Sequence, residues 1–164
     1  MEGKSLKELF RGREDAIEGF YQQIKSIAES YDLPYSKRDM TYNSRLAQEL
    51  GAWADTQENG EQLHDALYRA YFVDNQNIAE VDVLLNLVRQ AGLDDVKAQE
   101  VLTNRLMSPT IDQHWQRAQS MGLSGVPTFV CDELFVVGHQ QFEVLMRFVN
   151  HMRKLKSEAQ KDFS

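Results

Sequence analysis

The sequence predicts an α+β chain, mostly helical, in which about six helices are followed by a β-hairpin and one terminal helix. Three observations carry that expectation. Before Gly122, apolar residues recur at spacings of three, four and seven, the period of amphipathic helices. Two β-prone runs, Thr128 to Cys131 and Leu134 to Val137, then flank Asp132-Glu133. Helical spacing returns in Phe142, Leu145, Met146, Val149 and Met152. With 164 residues and 42% apolar content, the chain can bury one contiguous core. A single domain over residues 1–164 is therefore expected, with a helical region at about 5–121 and a ββα unit at about 125–156.

From Ser5 to about Ser30, Leu6, Leu9, Phe10, Ile17, Phe20, Tyr21, Ile24 and Ile27 mark a helix that Gly12 can interrupt. The stretch ends before Pro34, because a residue preceding proline is pushed out of the α region. Tyr31 to Thr41 then reads as loop, and no β-prone run precedes residue 128. Asn43 is suited to cap a second helix carrying Leu46, Ala47, Leu50, Trp53 and Ala54. A third helix, about Gly60 to Phe72, places Leu63, Ala66, Leu67, Ala70 and Tyr71 on one face. A fourth runs from about Ile78 to Ala91 with Val81, Leu84, Leu85 and Val88 turned inward and Gly92 as its closing residue. Asp94 or Asp95 opens a fifth that ends near Asn104. Ser108 is expected to cap a sixth, lined by Ile111, Trp115 and Ala118, with Pro109 in the first helical position.

Asp132-Glu133 is short enough to join the two β-runs tightly. The last helix is expected from about Gln141 to Lys156, its five apolar residues facing inward and its basic residues gathered at the C-terminal end, where they suit the helix dipole. Ser157 to Ser164 is expected to fray.

Charge excludes several partner classes. Acidic residues outnumber basic ones 25 to 18, for a net charge of -7, so the overall field repels nucleic acid and anionic lipid. No run approaches the roughly 18 apolar residues of a membrane span, and no secretory leader is recognisable, so a cytoplasmic protein without a membrane partner is expected. Cys131 is the single cysteine, so the chain has neither a CxxC pair, an internal disulfide nor a multi-cysteine zinc site.

Other candidates have plain structural explanations. Cys131 lies within a strand beside Val130, where a thiol behaves as a small hydrophobe. His64, His114, His139 and His151 fall on separate elements without metal-binding spacing, so no metal is expected. His139 follows Gly138 at the start of the last helix and reads as a surface polar residue. Trp53, Trp115, Tyr68 and Tyr71 sit at helical spacing among apolar residues and read as core. No phosphate loop, nucleophile elbow or zinc-protease motif is present, so no catalytic residue and no cofactor can be assigned.

The element order, together with YNSRLAQELGAWA at 42–54, LHDALYRAYFVDNQNI at 63–78 and GVPTFVCDELFVVGHQQFEVL at 125–145, resembles the second half of a DsbA-like thioredoxin-fold protein. The resemblance points to the cytoplasmic branch that includes polyketide-biosynthesis dithiol-disulfide isomerases, related in turn to 2-hydroxychromene-2-carboxylate isomerases and kappa-class glutathione transferases. It runs from about residue 5 to 152. A complete member begins with a strand, a CxxC-bearing helix and a second strand, so the likeness implies a fold truncated to the helical insert, the hairpin and the last helix. Met1 falls where that second strand would end, which leaves open a longer natural chain.

The resemblance implies that Pro127 is cis and that Val126, Pro127 and Thr128 form a platform for an extended peptide or a thiol protein substrate. It also implies thiol-disulfide oxidoreductase or isomerase ancestry without redox activity in this chain. The other readings are a non-catalytic peptide-binding or assembly module and a remnant of the isomerase or transferase relatives. Because the family's first strand lies beside the strand after the proline, its loss exposes residues 126–131 as an edge. A homodimer that covers this edge is expected.

Overall fold

Ser5 opens the first helix with a capping box. Its Oγ accepts from Glu8 N at 3.2 Å while Glu8 Oε2 accepts from Ser5 N at 2.9 Å, so two otherwise orphan amides are satisfied. This computed structural model describes residues 3–161. It divides into two compact units, with the boundary between Asp112 and Gln113.

The N-terminal unit begins with β1 (Lys4–Ser5), α1 (Leu6–Leu9) and α2 (Asp15–Glu29), followed by β2 (Met40–Thr41). The expected break near Gly12 is present, with Gly12 at φ 81°. The expectation that no strand precedes residue 128 is corrected. Lys4 pairs with Thr41 and Ser5 with Met40 in an antiparallel ladder, and Leu6 N extends it to Asp39 O at 2.8 Å. Two-residue strands have no periodicity from which to be read.

Four helices then build the core: α3 (Arg45–Ala54), α4 (Glu61–Phe72), α5 (Val81–Gln90) and α6 (Asp95–Thr103). Leu50, Trp53, Leu63, Leu67, Leu84, Val88, Val101 and Leu102 pack into one buried cluster. Their spacing places each on the stripe that faces the neighbouring helices. Asn43 acts one residue earlier than expected: its Oδ1 accepts from Arg45 N at 2.9 Å, and Ser44 occupies the cap position. Ile78 is buried but precedes α5, and Val81 at the start of that helix is exposed instead of inward. Gly92, at φ 72°, ends α5, with Leu93 N donating to Val88 O at 3.0 Å. Asp94 caps α6 by accepting from Val96 N and Lys97 N, and these bonds, led by Lys97, hold its carboxyl below the usual range.

The unit boundary falls inside α7 (Ser108–Ser120). Ser108 already belongs to the helix rather than capping it, since Ser108 N donates to Arg105 O. Ile111 is buried, but Trp115 is 52% exposed and Tyr68 on α4 is 64% exposed. Both were expected in a core, and helical spacing alone does not distinguish a buried aromatic from one that keeps half or more of its surface exposed. Tyr71 is half-buried and its hydroxyl pairs with Thr41 Oγ1 at 3.0 Å.

The C-terminal unit holds β3 (Thr128–Cys131), β4 (Leu134–Val137) and α8 (Phe142–Lys161). Asp132 at φ 53° makes the turn, and Lys156 Nζ lies 3.3 Å from its Oδ2. The inward stripe expected on α8 is corrected. Met152 is buried and Leu145 half-buried, but Phe142 is 70% exposed and Met146 and Val149 are also exposed. Among the described residues this unit offers α8 only two four-residue strands to pack on, and most of the stripe keeps more than a third of its surface exposed. Residues expected to fray from 157 continue the helix as far as Lys161, and 162–164 lie outside the described residues.

Candidate functional site: the open edge of the C-terminal hairpin

The hairpin register fixes which backbone groups remain available. Thr128 faces Val137, Phe129 faces Val136, Val130 faces Phe135 and Cys131 faces Leu134. Gly138 N donates to Pro127 O at 2.7 Å, which sets the phase of the ladder. In an antiparallel pair hydrogen-bonded and non-hydrogen-bonded positions alternate. Phe129 and Cys131 therefore point their amides and carbonyls at β4, while those of Thr128 and Val130 point away from it. Among the described residues the sheet has two strands only, so β3 presents these four groups along an unpaired edge.

Val126, Pro127 and Thr128 are brought together at the start of that edge. The Val126-Pro127 bond is cis, and Val126 is 93% exposed. Thr128 is held by its own turn, its Oγ1 donating to Gly125 O at 2.6 Å. Gly125 is close-fitted here, since a Cβ on it would come within 3.3 Å of Val137 Cγ1. Val126 to Thr128 thus form a hydrogen-bonded backbone corner with an apolar side chain standing into solvent. Val130, the second outward-facing position, was not singled out by sequence reasoning; the two-residue alternation relates it to Thr128, but only the Gly138–Pro127 bond shows that both face outward.

Neither face of the hairpin is buried. Phe129, Val130, Leu134, Phe135 and Val137 are all exposed large hydrophobic residues. Apolar surface of this density makes the hairpin a candidate for an interaction site. Cys131 is a free, half-buried thiol at the far end of β3, next to the turn. His114, His139 and His151 are exposed on this unit, and no three His, Cys, Asp or Glu side chains among the described residues gather as metal ligands. In the other unit His64 Nε2 pairs with Asp55 Oδ1 at 2.7 Å over Gly51.

One polar centre was missed altogether. The Glu49 side chain is 0% exposed, yet it receives Arg45 Nε at 2.6 Å and Arg105 Nε and Nη2 at 2.8 and 2.6 Å. Arg45 Nη2 also reaches Ser108 O and Oγ at 2.9 Å and Asp112 Oδ1 at 2.6 Å. The bonds from Arg105, supported by Arg45 and opposed by burial, keep the Glu49 carboxyl below its usual range. With every oxygen satisfied, this is a tether between α3 and the α6–α7 turn rather than a site awaiting a ligand.

Comparison with known proteins agrees with this architecture. The family model of the DSBA-like thioredoxin domain matches residues 3–150. The chain is 25% identical over 112 residues to the Bacillus subtilis protein YwbO, and 27% identical over 100 residues to the ClpXP adapter protein SpxH of Halalkalibacterium halodurans. The matches cover 68% and 57% of this chain but only 56% and 33% of those relatives, so the chain spans about half or less of their lengths. A crystal structure of a probable DsbA oxidoreductase from Streptomyces coelicolor superposes with a TM-score of 0.77 at 26% identity, covering 93% of this chain and 69% of that one. The fold and hairpin define a DsbA-like thioredoxin-fold protein. The chain belongs to the DSBA-like thioredoxin domain family.

Proposed function

We propose that this chain is the peptide-holding part of a DsbA-like thiol-disulfide oxidoreductase or isomerase and carries out no dithiol exchange by itself. The observation that carries the reading is the outer edge of β3, where the backbone groups of Thr128 and Val130 stand available beside exposed Val126. An extended segment docks on such an edge by strand addition, taking its affinity from main-chain hydrogen bonds. Exchange needs a thiolate to attack and a second thiol to resolve the mixed disulfide. Cys131 is the single cysteine in 164 residues and no cation or helix N-terminus in the described unit is bonded to it to favour thiolate. One cysteine also suits a reducing compartment such as the cytoplasm.

A homodimer through residues 126–131 belongs to the same reading. The second copy's β3 supplies the complementary donors and acceptors, and pairing covers part of the apolar hairpin face. The resemblance of one relative named as an adapter favours a second reading, a holding module with no redox step at all. Reduction of insulin by dithiothreitol separates these from an active enzyme. No acceleration above the buffer rate is expected, and turnover that survives Cys131→Ser or vanishes with it would overturn the reading. Binding of a cysteine-free extended peptide, followed by amide shifts, should centre on residues 126–130. Shifts confined elsewhere count against the platform.

A further inference from the structure

The outer edge of β3 presents one N–H and one C=O from each of Thr128 and Val130, in a phase set by the bond from Gly138 N to Pro127 O. Two such positions, two residues apart, form a pattern of partial charges that is its own complement when a second β3 runs antiparallel to it. The strand itself carries no charge. Antiparallel pairing also sends the two acidic turns, Asp132-Glu133, to opposite ends of the pair, so like charges do not meet. Pro127 fits the arrangement, because the N–H it lacks would point at β4 and not at the second copy.

Three two-fold registers bring outward residues of the two strands opposite one another. With Thr128 opposite Thr128, Val130 finds no partner within the strand. With Val130 opposite Val130, the groups of Thr128 fall on Asp132, which has left the strand at φ 53°. Only with Thr128 opposite Val130 does every outward group of one strand meet a group of the other strand.

Resting on the homodimer reading above, we propose that two copies pair in this last register, so that Phe129 faces Phe129 across the axis and Cys131 of each copy lies against Pro127 of the other. Phe129, 38% exposed in the single chain, gains a cross-strand aromatic neighbour. The two hairpins join into one four-stranded sheet, which is more stable than a lone pair of strands. Each copy thereby contributes a residue to the other's site: the corner at Val126 to Thr128 is closed by the second copy's thiol-bearing strand end. The two thiols do not meet. They stand four positions apart along the strands, about 14 Å, beyond the Cα separation of about 7 Å that a disulfide can bridge.

Sedimentation velocity of the full chain establishes the dimer, and cross-linking reads its register. In a Cys131→Ser background, oxidation of Phe129→Cys should trap a disulfide-linked dimer about tenfold faster than Thr128→Cys or Val130→Cys, since position 129 alone faces itself. Faster trapping at 128 or 130 overturns the register and leaves the dimer standing. The unaltered chain supplies a readout that needs no variant to fold. Alkylation of Cys131 by iodoacetamide should slow about tenfold as concentration rises through the dimer midpoint, because thiol reactivity follows access. Oxidation of that dimer should leave Cys131 unlinked. A Cys131–Cys131 disulfide, or an alkylation rate that ignores a dimerisation seen in the centrifuge, overturns the register. A chain monomeric at every concentration removes the homodimer and the register together.

Discussion

Arg105 donates from Nε and Nη2 to the two carboxylate oxygens of Glu49, 56 residues earlier in the chain, at 2.8 and 2.6 Å. Arg105 does so from a left-handed backbone conformation, φ 52°, which costs a non-glycine residue about 1 kcal/mol. The turn after α6 is therefore shaped to deliver this guanidinium to a carboxylate that no water reaches. Glu49→Ala should destabilise the N-terminal unit by about 3 kcal/mol, because two guanidinium groups lose the acceptor they share and a void replaces it. Arg105→Met should cost less, since Arg45 still serves Glu49. Urea unfolding followed by circular dichroism measures both, and equal midpoints for Glu49→Ala and the unaltered chain would exclude the tether.

The same centre predicts a pH dependence. Hydrogen bonds from Arg105, aided by Arg45, lower the Glu49 pKa in the folded chain. The folded state then binds fewer protons than the unfolded state between the two values, so stability rises with pH there. The contribution is complete above the ordinary carboxylate value of about 4.3 and is lost as pH falls through the lower folded value. The stability gap between the unaltered chain and Glu49→Gln should be constant from pH 7 to about 5 and shrink below about 4. A gap that widens on acidification would reverse the assigned sign.

Much of the fold was legible because it rests on local periodicity. Leu46, Ala47, Leu50, Trp53 and Ala54 mark α3 by spacing alone, and Gly12, Gly92 and Asp94 punctuate helices through backbone geometry that their own side chains determine. The hairpin bounds were legible for the same reason, with β3 and β4 at the expected residues. What could not be read depends on distant partners. Arg45 and Glu49 have an i,i+4 spacing, but Arg105 comes from across the fold, so the spacing alone cannot tell this buried cluster from an ordinary surface pair. The exposure of Phe142 and Trp115 was illegible because an apolar stripe records the capacity to be covered and not the presence of a cover. For the candidate site, Val126 to Thr128 were legible through the Gly-Val-Pro-Thr turn, whereas the outward phase at Val130 needed the Pro127–Gly138 bond to set it.

Two glycines should fail on substitution for different reasons. Gly60 has an ordinary helical backbone, φ -58° and ψ -25°, yet a Cβ there would lie 1.9 Å from Ala54 O. Backbone cannot yield as a side chain tip can, so Gly60→Ala should force α3 and α4 apart at a cost of about 1 to 3 kcal/mol. Gly92 has open space around it but φ 72°, so Gly92→Ala should cost about 1 kcal/mol through conformation alone. Gly92→Asn should recover part of that loss, because asparagine tolerates the left-handed region, whereas Gly60→Asn should recover nothing. Thermal unfolding of the four variants distinguishes the two causes, and parallel behaviour at both positions would refute the distinction.

The β3 edge gives the prediction most directly tied to function. Thr128 to Cys131 contains no charge and no proline, the devices that keep an exposed strand from pairing with another. A second copy brought antiparallel to it can satisfy the outward groups of Thr128 and Val130 in both chains at once, since a two-fold axis makes each strand the other's complement. Sedimentation velocity should therefore show dimer at micromolar concentration. Val130→Lys introduces a charge at the centre of the edge while leaving the inward bonds of Phe129 and Cys131 to β4 in place. It should shift the protein to monomer without lowering its thermal midpoint by more than about 1 kcal/mol equivalent, the scale of a half-exposed strand substitution. An extended cysteine-free peptide should compete with dimerisation, because both use the same four backbone groups, and the competition should disappear in Val130→Lys. A monomer at every concentration, with peptide binding intact, would leave the edge as a platform and remove the dimer. A dimer insensitive to both peptide and Val130→Lys would place the interface away from β3 and remove the pairing model itself.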